Sequence, residues 1–224
     1  MAATRAPIVR PAPAVGAVLL ALATALLPGC RTVAPQLGTA ELEAAREQLG
    51  RPLSADPAAL FRLRVPASGA LRMSLLAAGA AGRMTVSEPF GAAVSILAWE
   101  GAAAPAFLDL REGCRLEAAD LSRLLGIGSL PLPQAVAVLC GRLPAAAGDE
   151  VSVRDGGGLL VSGEGWAAEV EIAAGPWRVT EVRQAAGGGR GWRLLLAGHA
   201  GAVPGSVRIE SADGRWAELE LLRL

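Results

Sequence analysis

The chain has 224 residues, of which 52% are hydrophobic, and its 21 basic and 21 acidic residues give a formal net charge of zero. This length suits one domain with a sizeable core. No segment gathers basic residues into a nucleic-acid-binding patch, so the composition argues against a nucleic-acid partner.

The N-terminal segment is typical of a lipoprotein export signal. Arg5 and Arg10 precede an apolar run that closes on Leu27-Pro28-Gly29-Cys30, and this run is too short to span a bilayer. A cysteine after a small residue at that point indicates lipid attachment. We therefore predict a removed signal peptide (1–29) and a lipidated Cys30. The alternative is an ordinary signal peptide in which the cysteine is incidental.

The remaining chain is predicted as a tether, residues 30–38, followed by a single domain, residues 39–224. After the signal, Arg, Glu, Gly or Pro interrupts every apolar stretch before it reaches the length of a membrane helix. Export places the protein in an oxidising compartment, where Cys114 and Cys140 are able to form a disulfide. The alternative is that both cysteines are small buried hydrophobes.

The first predicted element is a helix that Thr39 caps and Pro52 ends, with Leu42, Ala45 and Leu49 among its periodic positions. From Leu60 onward the apolar spacing falls towards two, which indicates short strands. The turns between these strands are rich in Gly and Pro, which favours hairpins and an antiparallel meander.

The period changes in the middle of the chain. Ala118 to Leu125 and Gln134 to Cys140 are predicted as two short helices, which Gly126 and Gly141 terminate. The alternating pattern then returns from Val151 to Leu221. We predict a mainly β (α+β) fold with about ten to eleven strands around a helical insertion.

The residues that usually carry catalysis are sparse. His199, the only histidine, lies in a Gly-rich turn and is interpreted as a solvated turn residue, without a partner set for a metal. The glutamates that alternate with apolar residues are expected to face solvent; these are Glu169, Glu171, Glu218 and Glu220. Since no nucleophile elbow, phosphate loop or zinc motif occurs, we expect no enzyme activity, cofactor or metal.

Apolar side chains are unusually abundant on the predicted strands and central helices. One interpretation is a filled core. The other is an apolar cavity between a curved sheet and the helices that cover it. The residues we expect to line that cavity are Met84, Val86, Ile96, Trp99, Leu121, Leu124, Leu125, Val136, Leu139, Trp166, Val170, Trp177 and Trp192. Trp216 also lies on a predicted strand.

The order of several short motifs resembles the LolB family of outer-membrane lipoprotein receptors. The similarity covers most of residues 40–222. The motifs are Arg83 to Gly91, Val94 to Leu97, Leu124 to Ile127, Leu130 to Pro133, Gly141 to Pro144, Val203 to Ile209 and the closing strand Trp216 to Leu222. The chain departs from the family at Val138, where the family usually carries a tryptophan.

The resemblance implies an open antiparallel β half-barrel with a short helical lid. Its apolar interior would receive the acyl chains of lipoproteins from a LolA-like periplasmic carrier and pass them to the inner leaflet of the outer membrane. The protein would be a periplasm-facing monomer, and Arg31, rather than Asp, after the lipidated cysteine fits that destination. A second hypothesis is a LolB-like envelope lipoprotein with a structural or sensing role and no transfer activity, and a third is an enzyme that acts on a lipid or glycan.

The same resemblance assigns a role to the turn Pro89-Phe90-Gly91. Phe90 matches the apolar residue of the family's protruding hairpin, which is implicated in passing lipid into the membrane. An exposed aromatic at such a turn is able to enter the membrane interface. The alternative is that Phe90 folds back on its own hairpin.

Overall fold

One antiparallel sheet organises the fold. The computed structural model describes residues 37–51, 57–66, 69–79, 81–101, 105–116, 130–154, 157–185, 191–201 and 203–224. Within these ranges the chain forms thirteen strands and two helices. The predicted open, mainly antiparallel β architecture is confirmed.

The elements follow one another along the chain as α1 (Thr39–Leu49), β1 (Ala58–Val65), β2 (Gly69–Ala78), β3 (Ala81–Ser87), β4 (Ala93–Glu100), β5 (Ala106–Asp109), β6 (Cys114–Leu116), α2 (Leu132–Leu139), β7 (Glu150–Val153), β8 (Leu159–Gly163), β9 (Trp166–Ala173), β10 (Arg178–Gln184), β11 (Arg193–Ala197), β12 (Ser206–Glu210) and β13 (Trp216–Arg223). The strand count exceeds the predicted ten to eleven. One strand that the sequence did not predict, β6, has only three residues, too few to show an alternating pattern.

Two meanders make up the sheet, whose strand order is β6-β5-β4-β3-β2-β1-β13-β12-β11-β10-β9-β8-β7. Every neighbour is adjacent in sequence except β1 and β13, which join the two halves. Phe61 pairs with Leu221 and Leu63 with Leu219 in this junction. The sheet stays open because β6 and β7 are its two edges.

Side-chain alternation gives the sheet an apolar face and a charged face. On β9, Trp166, Ala168 and Val170 are buried, while Glu169 and Glu171 point to the other side because successive side chains of a strand alternate. The buried residues of nearly all strands join those of α1 and α2 in one hydrophobic cluster.

The outward glutamates of β9 are paired rather than simply solvated. Glu169 is only 16% exposed and bonds both Arg154 and Arg183, while Arg154 also reaches Glu171 at 2.6 Å. On the other half, Glu220 accepts a bond from Arg62 at 2.9 Å. Cross-strand ion pairs of this kind each contribute a few tenths to about 1 kcal/mol, so the charged face supports the register.

Helix α1 begins at Thr39, and Gly38 is its N-cap, so the prediction of Thr39 as the cap was wrong. The backbone N–H of Gly38 donates to Glu41 Oε2 at 2.8 Å, which stabilises this end through a charged side chain rather than a hydroxyl. Leu42, Ala45 and Leu49 are buried. The helix ends at Leu49, before the predicted Pro52, which lies outside the described residues.

Helix α2 is buried on almost every side. Its first turn contains Pro133, where a missing N–H costs nothing, and Gly141 adopts a φ of +74° just after its end, as predicted. The buried residues of α2 are Leu132, Gln134, Ala135, Val136, Val138 and Leu139. The other predicted helix, Ala118 to Leu125, lies outside the described residues.

Asp149 ties the first turn of α2 to the segment that leads into β7. Its Oδ2 accepts the Ala146 N–H at 2.7 Å and the Gln134 amide at 3.1 Å. Because Gln134 is the buried polar residue of the core, this bond offsets part of the cost of burying its amide. The helix is thereby held against the β7 half of the sheet.

Cys114 and Cys140 are both free thiols, so the structure does not form the disulfide that the sequence allowed. Cys114 begins the edge strand β6, whereas Cys140 is buried directly after α2. Cys140 therefore matches the alternative of a small buried hydrophobe. Burial raises the pKa of the Cys140 thiol to about 11, because a thiolate is poorly solvated there.

The two thiols should react at different rates in a full-length Cys30→Ala chain. At pH 8 a group with a pKa of about 11 is ionised to roughly one part in a thousand. Ellman's reagent should modify one thiol quickly and Cys140 only after unfolding, and Cys114→Ser should remove the fast reaction. Absence of both reactions in the native protein, with recovery after reduction, would instead reveal a disulfide.

Trp99 and Gly82 form a close packing pair across β3 and β4. They are register partners, and a Cβ on Gly82 would overlap the six-membered ring of Trp99. Alanine normally stabilises a strand relative to glycine. At position 82 we expect alanine to destabilise the protein instead.

We expect Gly82→Ala to lower the free energy of unfolding by about 1 to 3 kcal/mol through overpacking. The cost should shrink in a Trp99→Leu background, which removes the ring that the new methyl group meets. Urea unfolding of the two single variants and the double variant measures this coupling. Equal costs in both backgrounds would contradict the packing argument.

Candidate functional site: an apolar cavity

An apolar cavity of about 220 Å³ lies between the concave face of the sheet and α2. The sheet supplies its floor and walls, and α2 covers it. The lining residues are Leu63, Val65, Met73, Met84, Val86, Ser95, Leu97, Phe107, Leu132, Ala135, Leu139, Leu194, Ile209, Ala217 and Leu219. Ser95 contributes the one hydroxyl among these side chains.

Curvature of the sheet brings the two walls together. Met84 and Leu97 are register partners on β3 and β4, and Leu194 and Ile209 are partners on β11 and β12. These two pairs lie in different halves of the sheet, yet they line the same space. The strands between them, β2, β1 and β13, form the floor, as in a half-barrel.

The volume bounds what the cavity is able to hold. An apolar cavity of about 150 Å³ is enough for benzene, whereas pockets for drug-sized ligands start near 300 Å³. At about 220 Å³ the cavity has room for a segment of one acyl chain. Its lining offers an occupant dispersion contacts and almost no charge.

The structure brings together three of the residues predicted to line the cavity, namely Met84, Val86 and Leu139. Others belong to the filled core; these are Trp99, Val136, Trp166, Val170 and Trp192. Trp177 is half-buried and packs against that core. Leu121, Leu124 and Leu125 lie outside the described residues.

Ile96 was predicted on the wrong face. It precedes Leu97, which is buried and lines the cavity, so Ile96 points to the outer side of β4. Trp99 points to the inner face, but its ring packs against Gly82. Alternation within β4 was sufficient to exclude Ile96.

The sequence did not indicate the lining residues of the far strands, nor Leu132 and Ala135 of α2. Leu194, Ile209 and Leu219 alternate as any half-buried strand does, and their sequence carries no sign of whether they meet a cavity or a packed neighbour. Ala135 was missed because a small residue signals no site. Its small size is what leaves space beneath α2.

Phe90 stands fully exposed, with 100% of its surface accessible, at the turn between β3 and β4. The turn is ordered: Glu88 N–H donates to the Ala92 carbonyl at 2.8 Å, and Gly91 has a φ of +95°. The alternative in which Phe90 folds back on its hairpin is wrong. A neighbouring turn is attached by the Arg111–Glu88 ion pair at 2.8 Å.

The Phe90 hairpin and the cavity lie at the same end of the sheet. β3 runs into the turn from Val86 and β4 leaves it towards Ser95, and these two residues are register partners that line the cavity. Leu110, which is also exposed, follows β5 at this end and bonds the Val94 carbonyl through its N–H. Exposed apolar residues thus adjoin the cavity.

His199 is better anchored than predicted. It is half-buried, and its Nε2 lies 2.9 Å from the Val179 carbonyl. That bond fixes the turn after β11 to β10. The interpretation as a solvated turn residue was therefore wrong, because a backbone carbonyl rather than water meets the ring nitrogen.

Asp109, Glu112 and Cys114 converge at the turn between β5 and β6, where their ligand atoms lie within 4.8 Å of one another. Asp109 Oδ1 already accepts the backbone N–H groups of Arg111 and Glu112, at 2.9 and 3.2 Å. This arrangement explains the local order of the turn.

No protein-family model matches this chain, and no curated protein matches it as a relative. Across the described ranges, neither helix has the length and apolar character that a bilayer crossing requires. The predicted signal peptide, residues 1–29, and Cys30 lie outside the described residues. Within the described residues, the cavity and the exposed Phe90 are the two features that bear on function.

Filling the cavity should weaken the binding of an apolar ligand. We expect Val86→Phe to weaken binding of the uncharged probe N-phenyl-1-naphthylamine at least tenfold, because the new ring occupies the lined space. Fluorescence titration of the full-length Cys30→Ala chain measures this. Thr85→Phe, on the outer side of the same strand, should change affinity little, and equal losses in both variants would argue against a cavity site.

Proposed function

We propose that this protein is a lipid-anchored outer-membrane receptor that accepts lipoproteins from a LolA-like periplasmic carrier and releases them into the inner leaflet of the outer membrane. The anchor is Cys30, after removal of residues 1–29. The proposal adopts the resemblance of the motif order to the LolB family. The observation that carries it is the apolar cavity beside the fully exposed Phe90.

The cavity supports the proposal because an acyl chain needs shelter from water. At about 0.8 kcal/mol per buried CH₂, a chain of roughly 14 methylenes costs on the order of 11 kcal/mol to expose. A lining of leucine, valine, methionine and phenylalanine side chains replaces that water along the segment of chain that the cavity holds, without forming a covalent bond. Transfer then requires only a more favourable site on the receiving side.

The position of Phe90 supports the second half of the proposal. A fully exposed phenylalanine such as Phe90 is unfavourable in water but favourable at a bilayer interface. Since β3 and β4 connect this residue to the cavity lining at Val86 and Ser95, insertion of the hairpin would bring the cavity close to the acyl region of the membrane.

A LolB-like envelope lipoprotein with a structural or sensing role is the second candidate. The modest cavity volume of about 220 Å³ favours it, since this space holds only a segment of one acyl chain. The two candidates share the fold and the anchor. They differ in whether a bound acyl chain moves on to a membrane.

Phe90→Glu should separate the two candidates. We expect the variant to bind acyl probes normally and to deliver lipoprotein from a loaded carrier to liposomes at least tenfold more slowly, because a carboxylate resists entry into the interface. Leu76→Glu is the matched control, since Leu76 is 57% exposed at the opposite end of the sheet. Unchanged delivery by Phe90→Glu would favour the structural or sensing role.

A further inference from the structure

The cavity contains one polar feature, the Ser95 hydroxyl. Ser95 lies on β4 with Val86 as its partner on β3 and Asp109 as its partner on β5. All the other lining side chains are aliphatic, aromatic or thioether groups. Within the described part of the chain, the hydroxyl of Ser95 has no hydrogen-bond partner.

The neighbouring carboxylate does not satisfy this hydroxyl. Asp109 Oδ1 accepts two backbone N–H groups of its own turn, from Arg111 and Glu112. A purely hydrocarbon occupant would therefore displace water from Ser95 and leave its O–H without an acceptor. Such an unpaired group is unfavourable.

The location of Ser95 makes the two ends of the cavity chemically different. Among the inward residues of β4, Ser95 is nearest the Phe90 hairpin, followed by Leu97 and then Trp99. Trp99 is buried against Gly82 and does not line the cavity. An occupant therefore has a hydroxyl at the hairpin end and only apolar contacts at Leu97.

We infer that the ligand of this cavity is an ester- or amide-linked acyl chain, bound with its tail towards Leu97 and its carbonyl oxygen accepting a hydrogen bond from Ser95. This inference rests on the proposed acyl-binding function and specifies its ligand. An acyl carbonyl is the acceptor that such a chain carries at its head. Ser95 thus sets the depth at which the chain binds.

The test compares two ligands of equal size in the full-length Cys30→Ala chain. A fatty acid methyl ester and the n-alkane with the same number of non-hydrogen atoms compete with N-phenyl-1-naphthylamine. Ser95→Ala should lower the ratio of ester affinity to alkane affinity about fivefold, the effect of one lost hydrogen bond. Ser95→Thr, which keeps the hydroxyl, should retain the ratio.

Ser74→Ala is the matched control, because Ser74 lies on β2 between the inward residues Met73 and Leu75 and faces away from the cavity. An unchanged ratio in Ser95→Ala, or equal losses for both ligands, would overturn the assignment of Ser95 while leaving the acyl cavity intact. If neither ligand displaces the probe from the wild-type chain, the proposed acyl-binding function fails as well.

Discussion

The pairing of the first strand with the last is the interaction on which the rest of the structure depends. β1 meets β13 through a register that includes Leu63 opposite Leu219, and this junction joins two meanders into one sheet. Without it, the two halves would each have a further open edge and no common concave face. Both residues of this pair line the cavity, so the junction also builds the floor of the proposed site.

The two faces of the sheet are stabilised by different interactions. The outer face pairs arginine with glutamate across neighbouring strands, as Arg193 does with Glu210 at 2.6 Å. The inner face is apolar and needs a cover, which α2 supplies because it is hydrophobic on nearly all sides. Large residues such as Trp99 fill one region of that face. Ala135 on α2 and Ala217 on β13 are smaller, and the space beside them is part of the cavity.

The cavity that these smaller residues leave connects the fold to the proposed function. Protein interiors are normally close-packed, so an apolar space of about 220 Å³ is a feature that needs a reason. Its place beside a hairpin that exposes a phenylalanine fits a ligand that passes between the cavity and a membrane. The lone hydroxyl of Ser95 adds polarity at the hairpin end, which suits the head of an acyl chain.

Local patterns in the sequence were enough for every strand but the short β6, for the turns and for the second helix, because alternation and Gly/Pro punctuation reflect short-range geometry. They also indicated the hairpin at Phe90. Because Met84 and Val86 are two residues apart on one strand, alternation also predicted that both point to the inner face. Which apolar residues fill the core and which line a cavity was decided only by tertiary structure. Val170 and Leu194 alternate alike along their strands and both are buried, yet only Leu194 lines the cavity. That difference depends on the volume of residues brought from the other half of the sheet and from α2, which no local pattern contains.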